Sequence, residues 1–285
     1  MSPTALALVL TAAVLHATWN LAATRVAGPR VAFVWLYVVA SAVVWVPVGV
    51  VWVVAAGQRP SWSWLWAAAV SSALHIVYQL VLQRGYADGE LNLVYPLARG
   101  SGPLLTFVWA AVVLGQRPGP VAAAGVLAVV AGILLIALGP SHHVRAGVTW
   151  GLLTGVTIAS YTLWDNRSVT ALEIPPVPYF VIGIVVQLPV LAALLRRERD
   201  PTPLREVWRT ARVPVLVVAI CSPLAYILVL RAMQLAPVAL VAAGREASIV
   251  VGAVFGWLVL HEPRPARRLV GAVIVLVGIG LIALG

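Results

Sequence analysis

Arg99 and Arg245 stand 146 positions apart, each about eight residues inside a long apolar run. An ionisable side chain at membrane depth costs several kcal/mol even on lenient insertion scales, so it marks a pathway or a buried partner. The planar guanidinium fork suits a carboxylate or a phosphate, and two forks presented to one cavity would clamp an anionic group. The plainer alternative is that Arg245 pairs with a carboxylate and locks helices, or reaches toward one membrane face. Glu246 follows Arg245 directly and falls where the first half has Gly100. Neighbouring residues on a helix point about 100° apart, so Arg245 and Glu246 are expected to address different partners. Glu246 then reads either as a proton- or cation-carrying carboxylate or as half of a packing ion pair.

Further polar residues recur in pairs. Trp19-Asn20 is echoed by Trp164-Asp165, with His16 and Tyr161 one turn earlier on the same faces. These could wall a cavity, the aromatic rings stacking on a ligand. The alternative for the tryptophans is an interfacial belt, which twelve Trp in the chain would suit. His75, Tyr78 and Gln79 follow the i, i+3, i+4 spacing and make one polar stripe on an apolar helix. Such a stripe does not face lipid. Asn92 and Tyr95 add to it, and Tyr226 is a lone counterpart later in the chain. Pro96, Gly100, Gly102 and Pro103 surround Arg99, which predicts a bent or partly unwound segment whose freed carbonyls line the site.

The elements that must hold these residues are membrane spans. Hydrophobic residues make up 62% of the 285 positions and charged residues 10%, against roughly 25% charged in a soluble domain. The stretch Thr4 to Ala23 has no basic leader and reads as a retained first span. Breaks rich in Gly, Pro, Arg and Asp punctuate ten helices, at about 4–24, 31–56, 62–84, 91–115, 119–139, 147–166, 178–195, 213–234, 238–261 and 265–284. The closing segments Gly132–Gly139 and Gly278–Gly285 are nearly identical. Without a gap the same 146-residue offset places Leu114 on Leu260 and Gly125 on Gly271. Tyr37 and Pro47 are matched by Tyr179 and Pro189 at the same spacing of ten. The expected fold is all-α and integral to the membrane: ten transmembrane helices as two inverted five-helix repeats. Residues 1–139 form the first repeat, 140–146 a connecting loop and 147–285 the second, because an odd helix count turns the second copy upside down.

The segments "LHATWN", "NLVYPLARG", "GREASIV" and "LHEPRPARRLVGAVIVLVGIGLIA" resemble those of EamA-type, ten-helix members of the drug/metabolite transporter superfamily. The resemblance covers essentially the whole chain. Its most specific part is Leu260-His261-Glu262 with the glycine-spaced helix behind it; the first half has Gln116 where Glu is usual. It implies a secondary carrier, most often an exporter of amino acids, other small metabolites or toxic compounds.

The function expected is therefore a secondary transporter, an exporter, of a small polar metabolite, amino-acid-like compound or drug by alternating access. It would lie in the inner or plasma membrane as a multi-pass protein. A lipid or lipid-linked sugar flippase is the alternative within transport. An integral-membrane enzyme is the rival from another class, against which stands the lack of an HExxH or a serine-nucleophile motif. Cys221 is the only cysteine, which excludes an internal disulfide and a Cys-based zinc site, and no cofactor is expected. All 19 basic residues are Arg; beside apolar spans they point to anionic lipid and the bilayer, not to nucleic acid. Gly125, Gly132 and Gly139 recur every seven residues, as do Gly271, Gly278 and Gly285. Such a face serves close packing and leaves a homodimer through helices 5 and 10 open.

Of the 19 arginines, 13 fall at the loops joining helices 1–2, 3–4, 5–6, 7–8 and 9–10. By the positive-inside rule both termini lie outside the cytoplasm, whereas the resemblance implies both inside. Alkaline phosphatase fused to the C-terminus is expected to be active if the arginine bias decides. An inactive enzyme with a fluorescent GFP fusion reverses that orientation.

Overall fold

The computed structural model describes all residues except 25, 27–29, 89–90, 138–143, 198–202, 252–265 and 285. Among the described residues there are ten helices: α1 (Pro3–Thr24), α2 (Arg30–Ala55), α3 (Trp62–Asp88), α4 (Leu91–Val112), α5 (Pro120–Ala137), α6 (Val144–Thr170), α7 (Pro176–Arg196), α8 (Leu204–Met233), α9 (Val238–Gly244) and α10 (Ala266–Leu284). A further helical stretch, 247–251, resumes after α9. The motif Leu260-His261-Glu262 lies outside the described residues.

Length and apolarity make these elements spans. The 26 residues of α2 reach about 39 Å at 1.5 Å per residue, more than a hydrocarbon core of about 30 Å needs. By length and composition α1, α2, α3, α7 and α8 can each cross a membrane, and α5 and α10 hold shorter apolar stretches. α4 and α6 carry the buried Arg99, Asp165 and Asn166, which lower their apolarity and put polar groups at the centre of the bundle.

Two expectations about continuity are corrected. α4 stays helical from Leu91 to Val112 despite Pro96 and Pro103, so no unwound segment surrounds Arg99. Ser101 and Thr106 turn their hydroxyls back onto the Leu97 and Gly102 carbonyls of the same helix. The interruption falls instead in the repeat mate. The run expected as one helix over 238–261 stops at Gly244, turns through Arg245 and Glu246, and resumes at 247. There the ladder tightens: the Glu246 amide bonds the Ala243 carbonyl at 3.1 Å and the Ser248 amide that of Arg245 at 3.2 Å, each one residue short of α-helical. α6 begins at Val144 and takes in part of the expected connecting loop. α8 starts at Leu204 and breaks at Ala211 (φ −126°, ψ 21°), just before Pro214, whose ring excludes a regular turn.

Glycines set the closest approaches. A Cβ on Gly125 would lie 2.6 Å from the Gly278 carbonyl oxygen, one on Gly132 2.7 Å from that of Gly271, and one on Gly278 2.7 Å from that of Gly125. The glycine faces of α5 and α10 therefore pack on each other within one chain. The close packing that these faces announce is met within one chain, so they lend no support to the homodimer expected through helices 5 and 10. A second seam joins α4 to α6, where Gly102 abuts Ile158 and Gly151 abuts Leu97, both at 2.7 Å from an added Cβ. Elsewhere α1 packs on α8 as α6 packs on α3, and α2 touches α7 and α8 as α7 touches α2 and α3.

Gly125→Val should therefore overpack the α5–α10 seam, costing on the order of 1–3 kcal/mol and lowering the thermal midpoint of the purified protein. Gly280, with nothing within 4 Å of an added Cβ, should accept Val with a change within about 0.5 kcal/mol. Equal midpoints for the two variants would refute the seam.

Candidate functional site

Two buried polar centres occupy the bundle, and neither is lipid-facing. The first is built at the turn after α9. Glu246, fully buried, receives Arg99 of α4 with Nε to Oε2 at 2.9 Å, and Arg245 with Nε to Oε1 at 3.5 Å. The Arg99 contact is close as an ion pair, though not aligned as a hydrogen bond. Arg99 also donates from Nη2 to the Ser248 hydroxyl at 3.0 Å. Arg245 and Glu246 do address different helices, Tyr161 of α6 and Arg99 of α4, but they also meet each other at 3.5 Å, a contact that the helical offset did not lead one to expect. Each guanidinium thus reaches a carboxylate, and that carboxylate belongs to the protein. His16 of α1 lies within electrostatic reach of both arginines and stacks edge-on against Trp19, with ring centroids 4.9 Å apart.

The second centre surrounds Asp165 of α6, 1% exposed. Ser71 of α3 donates to Oδ1 at 2.5 Å, Tyr179 of α7 to Oδ1 at 2.8 Å and Tyr226 of α8 to Oδ2 at 2.7 Å. Three donors on one carboxylate suit its ionised form, which only accepts. His75 Nε2 stands 3.9 Å from Oδ2. Its Nδ1 is 2.9 Å from the Ser71 carbonyl, so Nδ1 is the donor there. Four helices therefore converge on one side chain.

Tyr161 connects the two centres. Its ring stacks on His75 (centroids 4.2 Å, planes 29°) and meets Tyr78 edge-on at 5.5 Å. The Arg245 guanidinium lies 5.8 Å from the same ring centroid and 3.5 Å from its hydroxyl. A contact path thus runs Arg99, Glu246, Arg245, Tyr161, His75, Asp165.

A cavity of about 180 Å³ opens beside the second centre, between α2, α3, α7 and α8. Tyr37 and Ser41 line it from α2, Ser71, His75 and Gln79 from α3, Tyr179 and Phe180 from α7, and Tyr226 from α8. Proline chemistry shapes its floor. Pro223 has no amide hydrogen, so the Ala219 carbonyl four residues earlier lacks its helical donor. Ser41 Oγ and Trp45 Nε1 both supply one to it, at 3.2 Å each. A separate groove of about 810 Å³, apolar and lined by such residues as Trp109 and Leu163, runs along α4 and α6 and shares no lining residue with the cavity.

Of the residues singled out from sequence, His75, Gln79 and Tyr226 reach the cavity; Asp165 stands directly behind it, with Tyr161 and Tyr78 behind His75. Arg99, Arg245, Glu246 and His16 gather at the other centre. Asn20 donates to the His16 carbonyl of its own helix at 2.7 Å. Trp164 does not reach this cavity: it donates to the Ala67 carbonyl at 2.9 Å, packs edge-on against Trp66 and lines the separate groove along α4 and α6. Tyr95 falls on α4, but its side chain is outside the described residues. Ser71, Tyr179 and Ser248 were missed. Ser71 sits one turn before His75, and Tyr179 was visible as the mate of Tyr37.

Residues 145–284 match the EamA-like transporter family. A solved crystal structure of a protein superposes with a TM-score of 0.77 at 18% identity, over 100% of this chain and 98% of that one; at that identity the likeness speaks for the fold alone. No curated protein matches the chain.

Glu246→Gln should remove the carboxylate that two buried guanidiniums share and destabilise the protein by about 3–5 kcal/mol. The triple replacement Arg99→Met, Arg245→Met, Glu246→Met should recover much of that loss in thermal midpoint. A single variant as stable as wild type would mean that the triad is not the buried ion network described.

Proposed function

Residues 145–284 match a family of membrane transporters, the EamA-like family, and from that match we propose a secondary carrier working by alternating access. Its cargo is a small polar metabolite, an amino-acid-like compound or a drug, exported across the inner or plasma membrane. The observation that carries this reading is the polar cavity among α2, α3, α7 and α8, backed by a chain of buried charges inside an otherwise apolar bundle. Polar groups at membrane depth are costly unless they serve a pathway or a partner, and here they flank an open volume.

The helix pairings support two five-helix units of opposite orientation. α1 on α8 and α6 on α3 exchange when each helix is replaced by the one five later, as do the contacts of α2 with α8 and of α7 with α3. In this reading α5 and α10 brace the bundle through their glycine seam, while α3, α6 and α8 supply the path. Arg99 and Arg245 clasp Glu246 across the two units, so an anionic cargo would compete with that carboxylate for them. The flippase reading draws on the lateral groove along α4 and α6, but that groove is apolar and separate from the polar cavity. The carrier reading is the stronger for that reason.

Purified protein in liposomes loaded with a mixture of amino acids, amines and sugar phosphates should release at least one solute faster than protein-free vesicles. Release of none, with scrambling of a fluorescent lipid instead, would replace the carrier with a flippase.

A further inference from the structure

The cavity wall has a hydrogen-bond polarity that follows from where its protons already point. A hydroxyl carries one donor, and once that donor is used only acceptor lone pairs remain. Ser71, Tyr179 and Tyr226 each donate to Asp165, at 2.5, 2.8 and 2.7 Å. Ser41 donates to the Ala219 carbonyl that Pro223 leaves without a helical donor, and Ser72 donates to the Gly183 carbonyl at 3.0 Å. All five line the cavity, and with their protons committed elsewhere their oxygens can only accept there; Tyr37, Ser222, Gln79 and Gln187 line it too and carry donors as well as acceptors. His75, whose Nδ1 is committed to the Ser71 carbonyl, has an acceptor at Nε2 while neutral.

The electrostatics run the same way. Asp165 lies behind three of these hydroxyls, and hydrogen bonds to a carboxylate polarise the donor oxygens. Among the described residues no arginine lines the cavity. The nearest one along the contact path, Arg245, touches Tyr161, which stacks on His75, so two rings separate it from the cavity, and Glu246 already balances part of its charge. Aromatic faces complete the wall: Tyr226 lies with its ring centroid 5.6 Å from His75 and 6.0 Å from Phe180. An apolar, aromatic and acceptor-rich pocket with a carboxylate behind it attracts a cation and repels an anion.

We propose that the cavity between α2, α3, α7 and α8 binds a small organic cation of the ammonium class, its N–H groups directed at the hydroxyl oxygens in front of Asp165. This deepens the carrier reading, on which it rests for the fate of the bound molecule. A cavity of about 180 Å³ suits a small amine or the amine end of a larger one.

Three probes of like shape separate charge from fit: benzylammonium, benzyl alcohol and benzoate, measured by thermal shift on the purified full-length protein and by competition for release from loaded liposomes. Benzylammonium should bind about tenfold or more tighter than benzyl alcohol, and benzoate should bind more weakly than either. Asp165→Asn should cut the preference for cation over alcohol to about twofold. Ser222→Leu, which fills the cavity without touching Asp165, should weaken both probes together. Equal affinity for cation and alcohol, tighter binding of benzoate, or no binding of any probe overturns the cation site. If Asp165→Asn does not fold, the comparison of the three probes on the wild-type protein still decides. Failure of the carrier reading is a separate result, in which vesicles release no solute of any class even where benzylammonium binds.

Discussion

One carboxylate holds the charge balance of the bundle centre. Glu246 is fully buried and meets guanidiniums from α4 and from its own neighbour, so three formal charges share one water-poor site. Removing charges from water is expensive, and the penalty is met only where opposite charges are brought within contact. Arg245 keeps near-helical backbone angles (φ −64°, ψ −18°), and its long side chain brings the guanidinium to within 3.5 Å of Glu246. The helix gives up regular hydrogen bonds at this point, and the shorter-range bonds from Glu246 and Ser248 recover part of them.

Asp165 organises the neighbouring centre by a different means. Its charge is met by hydroxyl donors from three other helices and not by an arginine. Hydroxyls bind a carboxylate while leaving their oxygens able to accept from something else, which an arginine cannot do. An arginine clasp tends to close a site, as at Glu246, whereas a ring of hydroxyls leaves a polar surface open. The cavity lies beside the hydroxyl-coordinated carboxylate, as this contrast requires.

The parts of this arrangement that could be read from sequence are those in which a residue type conflicts with its surroundings. Arg99 and Arg245 stood out because charge is costly in apolar spans, and the His75-Tyr78-Gln79 stripe because its period matched a helix face. The glycine repeats of helices 5 and 10 announced close packing, but their spacing could not say whether the partner was the other half or another copy. Conformation at Arg99 and Arg245 was not legible. Pro96 and Pro103 suggested a break in α4 that the hydroxyls of Ser101 and Thr106 and the tight α4–α6 seam accompany without one. The actual break, at Arg245 and Glu246, has no proline to announce it. Ser71 was missed because a serine is small enough to be unremarkable in any span; only the fold places it against Asp165.

The two centres differ in make-up and are joined by ring contacts, which constrains how the bundle can change. The first cluster holds two guanidiniums and a carboxylate and the second a carboxylate met by hydroxyls, with the His75–Tyr161 stack between them. Interiors pack at crystal-like density, so His75 cannot shift toward or away from the cavity without Tyr161 losing or regaining its stacking partner. Tyr161 also receives Arg245, whose other contact is Glu246, and Glu246 holds Arg99 of the first half. The occupant of the cavity and the clasp between α4 and α9 are therefore neighbours through two rings and one guanidinium. Both clusters, Glu246 with Arg99 and Asp165 with Ser71 and His75, join a helix of the first five to one of the last five.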